Sequence, residues 1–103
     1  MAGRYAKGMA FENQCQHDFE DLGYRVIRSA GSHGPIDLIC GKKDEGIIVI
    51  QCRIRGNISK AEIVELREWA EAFSDARILL AYRVEIQAKG SKRKLYGKEF
   101  KNL

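Results

Sequence analysis

The sequence has no apolar run approaching the roughly 18–20 residues that span a bilayer, and its polar N-terminus shows no secretory cleavage pattern. A membrane partner is therefore not expected, and the chain reads as a soluble cytoplasmic protein. Cysteine is scarce: Cys15, Cys40 and Cys52 are odd in number and lack C-x-x-C spacing. That argues against a disulfide framework or a zinc finger and for free thiols in a reducing compartment. The pattern G-x-x-x-x-G-K-[ST] is missing, so the glycine turn at 31–34 is no phosphate cradle and no nucleotide cofactor is expected. Proline occurs once, internal repeats not at all, and 103 residues suffice for one modest core. A single domain, 1–103, follows as the expectation.

What is present is charge, unevenly placed. Lys and Arg number 18 against 14 Asp and Glu, a net +4, yet the segment 87–103 holds six bases and one acid. That basic C-terminal segment, net +5, leaves the rest of the chain at −1. Such a cluster suits a polyanion, with nucleic acid favoured over membrane because no amphipathic apolar face accompanies it. A merely solubilising tail is the alternative.

Phe11, Cys15, Phe19 and Leu22 step by four, four and three, the stripe of an amphipathic helix over about 6–22 that Gly23 closes. Glu12 falls at the border of that stripe. Residues 24–29 alternate as a half-buried strand does, and Pro35 is placed to open the next one. The runs at 36–40 and 47–52, joined by a polar loop with Gly at each end, read as an antiparallel hairpin. Ser59 and Glu62 form a capping box ahead of a second helix over about 60–73, carrying Ile63, Leu66, Ala70 and Phe73. Residues 77–84 then read as a strand parallel to the third, reached across that helix, with a last short strand near 93–96. The order αβββαβ defines an α/β fold.

Asp37 interrupts an apolar run, and a buried carboxylate needs a cation or donors. Gln51 and Arg53 follow the IIVI run on one face at period two. With Glu12 from the first helix they offer two carboxylates, an amide oxygen and a fixed cation, a set that suits Mg²⁺ and a phosphate. An Asp–Arg ion pair closing a sheet edge fits the same spacing. Glu62, Glu65, Glu68 and Glu71 step by threes and read as a solvated helix face; Cys40 and Cys52 read as buried free thiols, with a cross-strand pair as the alternative. Trp69, Phe73 and Tyr82 fit either a core or an interface.

The runs KGMAFE at 7–12, RSAGS at 28–32, PID at 35–37 and Q-x-R at 51–53 resemble the archaeal Holliday-junction resolvase family of the PD-(D/E)xK nuclease superfamily. The resemblance implies a restriction-endonuclease-like core, a central mixed sheet flanked by helices, and a metal-dependent endonuclease cutting four-way DNA junctions as a homodimer. It implies Mg²⁺, with Mn²⁺ as a substitute, held by Glu12, Asp37, Gln51 and the backbone of Cys52. Arg53 would stabilise charge, with Arg28 and Ser32 beside the scissile phosphate. Arg4, Lys7, Arg28, Ser32, Arg55, Lys92, Arg93 and Lys94 are the expected contacts to branched or duplex DNA.

Three positions depart from the family pattern, two of them in the site: Gln51 stands for a glutamate and Arg53 for a lysine. Glutamine keeps an oxygen for the cation but removes a charge, while arginine keeps the charge and gives up any proton-transfer role. Asn13 also replaces an arginine. A catalytically degenerate protein that binds branched DNA on the same fold is therefore the alternative function.

Overall fold

The computed structural model describes residues 3–29, 34–86 and 95–103. Its elements run α1 (Gly3–Asp21), β1 (Arg25–Arg28), β2 (Leu38–Lys42), β3 (Gly46–Arg53), α2 (Lys60–Ala72), β4 (Arg77–Ile86) and β5 (Leu95–Asn102). One five-stranded sheet has the spatial order β1-β2-β3-β4-β5, antiparallel throughout except for the parallel β3–β4 pair that α2 connects. This is the mixed α/β sheet expected from the sequence. Among the described residues no helix is long and apolar enough to cross a membrane.

The helices cover opposite faces because strand side chains alternate. Ile48 and Ile50 of β3, with Leu38 and Cys40 of β2 and Leu79 and Ala81 of β4, pack against Phe11, Cys15 and Phe19 of α1. Val49 points the other way, into a smaller cluster with Ile36, Leu66 and Ala70. Leu22, expected in the α1 stripe, is 61% exposed: it lies beyond the helix, in the turn that ends it. There Gly23 N–H donates to Glu20 O and Tyr24 N–H to Phe19 O, a Schellman closure that needs Gly23's φ of +94°. The Phe19 and Tyr24 rings meet edge to face across it.

Three expectations are corrected. Strand β2 starts at Leu38, so Pro35 and Asp37 belong to the bend before it and Asp37 does not interrupt a strand. The last strand is eight residues long and begins at Leu95; it pairs with β4 from Leu79–Asn102 to Ile86–Leu95. Its charged residues hid it, and an edge strand tolerates charge. Cys40 lies opposite Ile48, not Cys52. The thiol of Cys52 instead meets Cys15 of α1, and that hydrogen bond, with burial and nearby carboxylates, pushes the Cys52 thiol far up.

Candidate active site

Asp37 is fixed from three directions. Its N–H donates to Ile50 O and its carbonyl accepts from Ser29 N–H, both at 2.9 Å. Its carboxylate Oδ2 accepts the Cys52 N–H at 2.7 Å, just beyond the last β2–β3 ladder pair, Leu38 with Ile50. Burial pushes the Asp37 carboxyl up to about 6, opposed by the Cys52 N–H and reinforced by the charge of Glu12 and a hydrogen bond between the two carboxyl groups; the charge of Arg53 acts in the opposite sense.

Glu12 reaches this point because it stands one residue after Phe11, which faces the core. Its side chain is partly buried, and Arg28 of β1 lies 3.5 Å from its Oε2. Arg28 also donates to Asn13 Oδ1. Two carboxyl groups and a guanidinium thus stand together at the start of β2.

Gln51 and Arg53 leave β3 on the α2 side, since Ile50 and Cys52 face α1. Their meeting point is Glu62. Gln51 Nε2 donates to Glu62 Oε2 at 3.2 Å, and Arg53 forms an ion pair with the same oxygen. The hydrogen bond from Gln51, with those from Ser59 and the Arg53 charge, holds the Glu62 carboxyl below its usual range despite partial burial. Glu65, Glu68 and Glu71 are exposed as expected, but Glu62 is not part of that solvated face. The capping box sets Glu62 in the first turn of α2, nine residues beyond Arg53, and the helix alone accounts for that box.

Ser32, Lys92, Arg93 and Lys94 lie outside the described residues. Arg4 and Lys7 fall in the first turns of α1, and their side chains are outside the description; Arg55 is exposed in the turn after β3. Lys98 of the basic segment pairs with Asp18 at 2.7 Å. Trp69 is 42% exposed and stacks on Phe73; Tyr82 Oη donates to Glu99 at 2.7 Å.

The donors fit a hard divalent cation. Among the described residues no three His, Cys, Asp or Glu side chains form a metal-binding group, so a third oxygen must come from elsewhere. Gln51 is 3% exposed, and its Oε1 is buried without a hydrogen-bond partner. An unpartnered amide oxygen costs about 1–3 kcal/mol, and a cation would satisfy it. The formal charges of Glu12, Asp37, Glu62, Arg28 and Arg53 leave the cluster at −1, which a divalent ion turns to +1, a match for one phosphodiester.

Residues 3–96 match the model of the archaeal Holliday junction resolvase (Hjc) family. The crossover junction endodeoxyribonuclease Hjc of Methanocaldococcus jannaschii is 38% identical over 77 residues, covering 71% of this chain and 56% of that protein. The chain thus spans little more than half the length of this curated relative. The structure of Archaeoglobus fulgidus Hjc, a Holliday junction resolvase from an archaeal hyperthermophile, superposes with a TM-score of 0.65 at 22% identity, over 91% of this chain and 70% of that one. With its mixed sheet, its flanking helices and a family match across nearly its whole length, this chain belongs to the archaeal Holliday junction resolvase family.

Proposed function

We propose that the chain is a metal-dependent, structure-specific DNA endonuclease that resolves four-way (Holliday) junctions by hydrolysing phosphodiester bonds. The carrying observation is the Glu12–Asp37 carboxyl pair at the start of β2, with the unpartnered Gln51 Oε1 on the neighbouring strand. Glu12, Asp37, the Gln51 amide oxygen and the Cys52 carbonyl would hold Mg²⁺, with Mn²⁺ as a substitute. When bound, the cation supplies Lewis-acid polarisation of the phosphate and a lowered pKa for the attacking water. Arg53 stabilises negative charge developing on the phosphorus substituents, and Arg28 and Ser32 orient the scissile phosphate. Arg4, Lys7, Arg55, Lys92, Arg93 and Lys94 hold the arms through their backbones, so shape is recognised rather than sequence.

Cutting two opposed strands takes two sites, which a two-fold homodimer supplies. Exposed Ile27 pairs across the sheet with Ile39, and Ile39 lines a shallow apolar cleft with Pro35, Ile36 and Trp69. This surface suits a second copy of the chain. One observation favours the alternative of a branched-DNA-binding protein without activity: Arg53, permanently protonated and tied to Glu62, can accept no proton.

End-labelled four-way junction, linear DNA duplex of the same sequence and duplex RNA competitor separate these readings. The proposal expects symmetric paired cuts on the junction alone, supported by Mg²⁺ or Mn²⁺ and abolished by EDTA. Tight junction binding without cuts in either metal assigns the binding role, and preference for RNA refutes both.

A further inference from the structure

Glu62 stands at the third position of α2, where an S-x-x-E box ordinarily has only a helix to cap. Here one carboxylate oxygen does that work and the other does something else. Oε1 faces the Ser59 N–H at 3.4 Å and the Ser59 hydroxyl at 3.1 Å. Oε2 accepts from Gln51 Nε2 at 3.2 Å and from the Arg53 guanidinium. The helix cap is thus bonded to both functional side chains at the end of β3.

The consequence lies in the two ends of an amide. A glutamine can rotate by a half-turn and exchange its oxygen for its nitrogen at little cost in shape, but an ionised carboxylate only accepts. Beside Glu62 the nitrogen end of Gln51 is the end that fits, so its oxygen is turned away from α2. That oxygen is the one buried without a partner. The same carboxylate balances the charge of Arg53 and fixes where its planar fork lies.

We propose that Glu62 is a positioning residue of the nuclease site. Through one oxygen it presents the Gln51 amide oxygen to the divalent cation and holds the Arg53 guanidinium at the same end of β3. In this way a neutral ligand on the strand and a carboxylate on the helix act together as one unit. The inference rests on the nuclease reading of the site and goes beyond it, because Glu62 itself does not ligate the cation.

Mn²⁺ binding to the full chain without DNA, followed by calorimetry, tests it together with thermal melting. Glu62→Gln keeps a capping box, since glutamine serves at this position, so its melting temperature should stay close to wild type. Its Mn²⁺ affinity should fall about tenfold or more, as removal of an outer partner of a metal ligand generally causes. Glu62→Asp retains the charge but is too short to reach Gln51, and an equal loss is expected. The exchange Gln51→Glu/Glu62→Gln restores both charge and hydrogen bond, and should return affinity to within about threefold of wild type. Wild-type affinity in Glu62→Gln or Glu62→Asp, or an exchange variant no better than Glu62→Gln, overturns the inference and leaves the nuclease reading standing. Absence of Mn²⁺ binding by the wild type overturns both.

Discussion

Asp37 concentrates the conflict between folding and function in one side chain. Its carboxyl is partly buried, lies against Glu12 and is pushed up to about 6. A carboxyl whose folded-state pKa lies above the unfolded value near 3.9 is favoured protonated in the native state. Its stabilising contribution is therefore complete below about pH 4 and is lost as pH rises through about 6. Metal-free protein should lose stability across this window, and saturating Mg²⁺ at pH 7 should recover it; denaturant titrations at pH 5 and pH 7 check the sign. Asp37→Asn removes the penalty while leaving an oxygen for the Cys52 N–H, so the metal-free variant should be more stable at pH 7 by about 1–2 kcal/mol, allowing for partial exposure. Asp37, Gln51 and Arg53 stood out in the sequence because polarity there breaks or follows an apolar run, and Glu12 because it borders the apolar stripe of α1. Glu62 did not, because its capping box and its spacing of three from Glu65 both have sufficient explanations within the helix. Only its contacts to Gln51 and Arg53 separate it from Glu65, Glu68 and Glu71.

Among the elements, the helix ends and the central hairpin followed from local chemistry. Gly23 was read as a cap and has the positive φ that the closure of α1 needs, and Ser59 and Glu62 cap α2 as the S-x-x-E spacing indicated. Gly23→Ala should cost about 1–2 kcal/mol, because alanine resists this backbone conformation and a Cβ would press on the Lys42 side chain at 3.3 Å. Equilibrium denaturation measures the loss, and junction affinity of the folded variant should be unchanged. The elements read less well were those governed by partners distant in sequence. Strand β5 carries charged residues, which an edge strand tolerates, and its pairing with β4, not its composition, makes it a strand. The start of β2 was set two residues too early because Ile36 is apolar; its side chain packs in the α2 cluster from a bend, beyond the ladder.

At the scale of the whole molecule, charge and assembly carry the account. If about four to six phosphates are neutralised per junction arm set, log K should fall with log salt with a slope of roughly −4 to −5, and substituting one contributing lysine should reduce the slope by about one. Fluorescence anisotropy over a salt series measures it; a flat response would remove the electrostatic footprint on which the nucleic-acid reading depends. Sedimentation should give twice the 11.7 kDa chain mass, and Trp69→Glu, on the exposed apolar surface, should yield monomer that nicks junctions without pairing the cuts. The measurement closest to the central claim is single-turnover cleavage of a four-way junction in Mg²⁺ by wild type and Asp37→Asn, at protein concentrations that saturate binding. Paired cuts by the wild type, reduced by at least about a hundredfold in Asp37→Asn with junction affinity retained, are the expected result. Equal cleavage by the two proteins, or none by the wild type, would contradict it.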